Sequence, residues 1–348
     1  MLKTFILTAD YELYLGSLTG TVEKCMVEPT YKLAELLDLN NSKLTVFWDI
    51  LHYYRLTELE NDYPGLKNDR RLIDEQISFL ISKGHDIQLH LHPHWIDAKY
   101  KGDEWEFTYD RFKLHSLSEN ENSEKIDSIT GCVTISKHFM EKEIRKYAPE
   151  YRVTAFRAGG YLIEPFAKLR RAFELNNIYT DSSVLPGMTS NNPVNGYDFS
   201  DFPAQSYYHF TDSPSEFSGR GKFIELPVTT LSIPILKNII FTFIRRLKYP
   251  DLESGRMGTS SSESATTSNK SIIKKIISML TKPRLTAFTT DGNFSERFNY
   301  MYRKAKENST MILHPKLLNQ HTLNILREKL ANNDIRFITI NNYLNSVE

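Results

Sequence analysis

Short apolar runs with the character of buried strands alternate along this chain with segments carrying the 3.6-residue rhythm of helices. "TFILTA" (4–9), "LTVFW" (44–48), "DIQLHL" (86–91) and "RVTAFR" (152–157) read as strands, as do "IYTDSS" (178–183), "KFIELPV" (222–228), "LTAFTT" (285–290), "TMILH" (310–314) and "RFITI" (336–340). Between them, residues 30–39, 69–84, 134–147, 164–177, 294–308 and 321–333 read as helices. In the second of these, Leu72, Ile73, Ile77, Leu80 and Ile81 share one face, and Gly84 follows as a stop. Repeated strand–helix units imply parallel strands with helices packed outside. About seven or eight such units point to a distorted (β/α) TIM-like barrel of one domain over residues 1–348, with an open doubly wound sheet as the alternative.

Three stretches break the rhythm and read as loop insertions: residues near 98–130, 188–221 and 231–284. Within the last, "SGRMGTSSSESATTSNK" (254–270) is low in complexity and expected to be mobile. Residues 233–250 are apolar and basic. They read first as a core helix and second as a membrane-surface segment. Lysine plus arginine equals aspartate plus glutamate, at 43 each, so no charge excess points to nucleic acid. Two cysteines form no disulfide framework, and the N-terminal apolar run is too short for a secretion signal. The expectation is a cytoplasmic protein.

In a barrel of parallel strands, side chains at the C-terminal strand ends converge on one rim. Here those ends carry Asp10 and Glu12, then Asp49, then His90, His92 and His94, then Arg157, Asp181, Asp291 and His314. Packing alone asks for none of them. Four of the ten histidines fall in "GHDIQLHLHPHW" (84–95). Pro93 should end the strand, so that His90 and His94 both look inward from the turn. H-x-x-x-H is a usual spacing for two ligands of one metal, and Asp10 or Glu12, taken as lying on a neighbouring strand, would complete a catalytic-type site. His92 is left as a third ligand, a hydrogen-bond donor behind the ligands or a substrate contact, the last two preferred. His85 reads as a surface residue, Asp49 as either a helix cap or a site carboxylate, and Asp291 as a turn former in "DGN".

These residues resemble the polysaccharide deacetylase superfamily, the NodB-homology or carbohydrate esterase 4-like hydrolases. "LTADYE" stands where the family has a strand ending T-F-D-D, with Tyr11 in place of the second aspartate. "GHDIQLHLHPHW" matches the family's H-[ST]-x-x-H-P motif, with Trp95 where proline is usual. "FRAGGY", "YTDSSVLPG" and "MILHPK" match its later motifs, and the matches together span residues 10 to 314. The resemblance implies Asp10 as catalytic base, Glu12, His90 and His94 as metal ligands, and Arg157 and His314 as further catalytic residues. Asp181 fills the fourth motif and is read, with His92 and Tyr161, as a substrate contact. It implies a divalent metal, zinc ahead of cobalt, manganese, nickel or iron.

The chemistry that follows is metal-assisted removal of an N-acyl group, N-acetyl by preference, from a sugar or glycan precursor. Asp10 would take a proton from water, His314 would protonate the leaving amine, and Arg157 would orient Asp10 through a bidentate pair. Two rivals stand beside this: an allantoinase-like amidohydrolase opening a small cyclic amide, and a carbohydrate-binding barrel that has lost its chemistry. Oligomeric state is not legible.

Overall fold

The computed structural model describes residues 2–252, 256–261 and 283–347. Most of the stretch 254–270 expected to be mobile lies outside these residues. The central sheet contains strands β1 (Lys3–Tyr11), β2 (Thr45–Asp49), β3 (Asp86–Leu91), β4 (Ala155–Ala158), β5 (Thr180–Asp181), β6 (Tyr208–Phe210), β7 (Phe223–Glu225), β8 (Thr310–Leu313) and β9 (Ile335–Ile338). Their order is β6-β7-β5-β4-β3-β2-β1-β8, with β9 also paired to β1. Every neighbouring pair from β7 through β8 is parallel, and only β6 runs antiparallel, at the edge. The sheet curls towards closure. Thr229 N–H donates to Thr310 O (3.0 Å), Phe288 N–H to Thr229 O (2.7 Å) and Ile312 N–H to Phe288 O (3.1 Å), which ties the chain beyond β7 to β8. This is the distorted (β/α) barrel the segment pattern implied. One expectation is corrected here: β1 and β3 are not neighbours, because β2 lies between them.

Helices cover the outside: α1 (Glu28–Asp38), α2 (Ile50–Leu59), α3 (Pro64–Ser82), α4 (Ile129–Ile144), α5 (Arg170–Leu175), α6 (Ile235–Lys248), α7 (Ser295–Lys304), α8 (Gln320–Ala331) and α9 (Ile340–Val347). α2 had no counterpart in the sequence reading. Proline opens α3, where a missing N–H costs nothing. Gly84 closes it at φ +74°, which lets the N–H of His85 reach Leu80 O at 3.0 Å. Ser128 caps α4 by accepting from Gly131 N–H at 3.0 Å. The strands β1, β2 and β3 are buried along nearly their whole length, as strands covered on both faces must be. His85 belongs to this interior and not to the surface. It is 3 % exposed, and its Nδ1 accepts from Leu44 N–H at 3.2 Å.

The three insertions take definite forms. Residues 98–130 hold the short antiparallel pair Lys99–Tyr100 and Trp105–Glu106, and their aromatic side chains build a wall behind β3. Residues 188–221 hold the pair Thr189–Ser190 and Tyr197–Asp198 and then β6. In the third, Thr230–Ile233 pairs antiparallel with Arg284–Ala287, and α6 packs on a small separate cluster of Ile233, Phe241, Leu252, Phe294 and Tyr300. Residues 233–250 were read first as a core helix. α6 buries only Asn238 and Phe241, and its Leu236, Ile240, Phe243 and Leu247 point outward.

Candidate active site

The chain leaves β1 at Tyr11 and places Asp10 and Glu12 at the rim, both buried. Alternate residues of an extended chain face the same way. β3 stays extended through His92 (φ −117°, ψ 89°) before the 3-10 turn Pro93–Asp97 begins, so His90 and His92 share one direction. His92 Nε2 stands 3.1 Å from His90 Nε2 and 2.7 Å from Glu12 Oε2, and His90 Nε2 lies 3.4 Å from the same oxygen. Glu12, His90 and His92 thus converge as a group able to hold a metal ion.

His94, expected as the second histidine ligand, is not in this group. The turn carries it away from the rim into the aromatic wall. Its ring stacks on Phe112 (centroids 5.0 Å apart) and meets Phe107 edge-on at 4.8 Å. Burial there holds its imidazole well below the usual pKa, and neither ring nitrogen has a hydrogen-bond partner among the described residues. The physical reason is the backbone at the turn: His92 keeps the strand's alternation and so shares the direction of His90, and the 3-10 turn opened by Pro93 swings His94 away. Gly159 makes room for the arrangement, since a Cβ there would lie 2.7 Å from His92 Nδ1 and 2.5 Å from Leu91 O.

The donors suit a divalent cation. Ligand atoms at 2.0–2.1 Å from a tetrahedral zinc stand about 3.3 Å apart, close to the separations found. Among the described residues only the His90 and His92 rings approach the buried Glu12 Oε2, and neither aligns as a donor to it, an arrangement that a cation would satisfy. His90 Nδ1 lies 2.9 Å from Arg157 O, which fixes the ring with Nδ1–H donating and Nε2 free for a ligand role. The other Glu12 oxygen accepts from Lys316 Nζ at 2.8 Å. Burial pushes the Glu12 carboxyl up, but Lys316 and His92 outweigh it and hold the group well below its usual value.

Beside this group stands an acid–base pair. Asp10 Oδ1 accepts from Arg157 at 2.6 Å, and Asp10 Oδ2 faces His314 Nε2 at 3.5 Å. Arg157 is wholly buried over the Phe47 ring and donates three further N–H groups to Thr8 Oγ1, Ser182 O and Ser182 Oγ. The bidentate Arg157–Asp10 pair is therefore corrected to a single bond, because Ser182 takes the rest of the fork. Burial raises the Asp10 carboxyl, and the Arg157 charge, with His90 and His314, overcomes this and leaves it lowered. His314 follows β8, which lies beside β1. Its Nδ1 pairs with Asp291 Oδ2 at 2.8 Å, and the same oxygen accepts from His314 N–H at 3.0 Å. Burial works against its charge, but the Asp291 bond and the nearby carboxylates raise its pKa. Two titratable groups pushed in opposite directions at one site are the usual mark of a base and an acid.

A cavity of about 220 Å³ opens over these groups, lined by Asp10, Glu12, His90, His92 and His314 together with Tyr161, Phe112, Asn195 and Lys316. Tyr161 lines it from a left-handed backbone at φ +67°, a strained conformation of the kind found at functional sites. Asp181, read as a substrate contact, does not reach the cavity. It is 2 % exposed, bonds Ser183 and pairs with Glu225 across the β5–β7 register. Asp49 stands at the N-cap position of α2, but its side chain makes no cap bond and lies outside the ligand group; it accepts from Trp95 Nε1 at 2.7 Å, and burial lifts its pKa to about 6. Sequence reasoning did not pick out Phe112, Asn195 or Lys316. Asp291 was placed on the rim but read as a turn former. Lys316 stands two residues after His314 and carried no signal of its own.

The fold and the motif residues together make the chain similar to polysaccharide deacetylases and family 4 carbohydrate esterases. No family model and no curated protein matches it. Among solved structures, a Mycobacterium smegmatis protein assigned to the polysaccharide deacetylases is 13 % identical over 99 % of this chain and 89 % of its own, with a TM-score of 0.42. A family 4 acetyl xylan esterase from Clostridium thermocellum, in complex with a cobalt ion, is 12 % identical over 99 % and 93 % (TM-score 0.37). An allantoinase is 10 % identical over 97 % and 88 % (TM-score 0.45).

Proposed function

We propose that this protein is a metal-dependent hydrolase that removes an N-acyl group, N-acetyl by preference, from a sugar or glycan precursor. The observation that carries the reading is the placement of the Asp10–His314 pair directly beside Glu12, His90 and His92 in one cavity. A divalent cation held by those three residues, zinc by preference, would supply Lewis acidity, lowering the pKa of water and polarising an acyl oxygen. Asp10, ionised and aimed by Arg157, takes the proton of the attacking water at Oδ2. His314 donates its Nε2 proton to the departing amine, and Asp291 holds the ring so that Nε2 faces inward. Tyr161 and Phe112 bound the substrate and exclude water. His94 supports the aromatic wall and takes no part in the chemistry. A cytoplasmic location belongs to the same proposal.

The cavity volume admits one sugar ring, or a small cyclic amide. The test is hydrolysis of N-acetylglucosamine oligomers, a nucleotide-linked N-acetyl sugar and allantoin by zinc- or cobalt-loaded protein, with Asp10→Asn alongside. Acetate release that disappears in Asp10→Asn while metal content stays supports the reading. Allantoin turnover alone moves it to the cyclic amide. Protein that binds no metal and hydrolyses none of the three refutes it.

A further inference from the structure

α6 presents an apolar stripe with no partner among the described residues. Leu236, Ile240, Phe243 and Leu247 are 75, 53, 60 and 82 % exposed. Their spacing of i, i+4, i+7 and i+11 keeps them within about 60° of one another around the helix. Four large side chains left in water on one line are a patch that asks for an apolar medium. The helix carries no acidic residue and four basic ones. Arg246 flanks the stripe on one side; on the other stand Lys237, whose Nζ lies over the Tyr300 ring, and Lys248, which pairs with Glu296 Oε1 at 3.0 Å, and the long cationic stems reach from an apolar face towards polar headgroups. Beside the helix lies a cavity of about 540 Å³, partly lined by Arg246, Arg284 and Arg297. Among the described residues none of these three arginines pairs with a carboxylate, and the buried Arg297 Nε has no partner. The surface is thus apolar at its crest and cationic at its edges. No described helix is long and apolar enough to cross a membrane.

We propose that α6 docks the protein on an anionic phospholipid bilayer, lying in the interface plane with Leu236, Ile240, Phe243 and Leu247 among the acyl chains and the flanking cations at the phosphates. An amphipathic helix with a basic polar face binds in this way, by buried apolar area plus attraction to anionic lipid. A second protein copy would also cover an apolar stripe, but a self-complementary interface would bring these cations against their own images. Joined to the hydrolase reading, on which this last step rests, the docking makes the substrate a sugar carried on a lipid.

The test is co-sedimentation of the full chain with phosphatidylcholine vesicles, with and without phosphatidylglycerol. It needs neither metal nor turnover, so its failure is distinct from failure of the hydrolase reading. Binding should require phosphatidylglycerol and weaken as salt rises. Phe243→Ser with Leu247→Ser should lower partitioning by roughly 100-fold, and Arg246→Gln by about 5-fold, with melting temperatures unchanged because all three residues are exposed. Wild-type protein that stays in the supernatant overturns the proposal, and so does vesicle binding unaffected by these substitutions. A lowered melting temperature in the serine variant would show that the chain itself covers this face. Conversion of a dimer to a monomer would show that a second copy does, and either result also overturns it.

Discussion

Asp291 should be worth one to two orders of magnitude in turnover, and the structure says how. Its Oδ2 accepts both from the His314 ring at 2.8 Å and from the His314 backbone N–H at 3.0 Å, so it fixes the ring's orientation and raises its pKa. A hydrogen bond to a charged group contributes about 1.5–3 kcal/mol. At ~1.4 kcal/mol per decade, Asp291→Ala should therefore lower kcat on an N-acetyl sugar by roughly 10- to 150-fold. Asp291→Asn keeps an acceptor and removes only the charge, so it should cost less. The pH profile gives an independent sign. Asp291 raises the His314 pKa, so removing its charge lets the imidazole lose its proton at lower pH, and the basic limb of kcat against pH should move downward. An activated acetate ester, whose leaving group needs no proton, should be spared. Metal content should match wild type, since Asp291 lies outside the ligand group. Equal losses on amide and activated ester, or a basic limb that does not move in Asp291→Ala, would refute the assignment of His314 as the acid.

The two histidines on either side of Pro93 should separate cleanly. His92→Ala should strip metal by elemental analysis with little change in melting temperature. His94→Ala should retain metal and lose ~2–4 kcal/mol of stability from the hole left in the aromatic wall. The Asp181–Glu225 pair predicts a pH-dependent stability. Burial, then the neighbouring Asp181 charge, raises the Glu225 pKa well above its usual 4.5 in the folded protein. The folded state thus keeps a proton that the unfolded chain releases, so this contribution is full below about pH 4.5 and is lost as pH rises. Glu225→Gln, a permanent donor to Asp181, should gain stability relative to wild type between pH 5 and pH 8 in thermal melts. A difference that stays constant with pH would remove the shared proton.

The sequence by itself determined the architecture and the rim. A run such as "LTVFW" has no polar face to turn to water, so it must be a strand covered on both sides, and parallel strands deliver their C-terminal residues to one place. Asp10, Glu12, His90, Arg157 and His314 were legible for that reason. What it left open depended on neighbours distant in the chain. Whether His92 or His94 joins His90 turned on the backbone at His92 and on Phe107 and Phe112, which come from a loop with no periodicity to read. Asp181 looked like another rim acid until Glu225, brought beside it by the β5–β7 pairing, made it half of a buried pair. Asp291 looked like a turn because "DGN" is turn chemistry at short range, and its partnership with His314 exists only once β8 is in place. α6 has the same apolar spacing whether its stripe meets a core or faces outward. Periodicity specifies that a helix has two faces, and only the packing of the rest of the molecule decides which of them is covered.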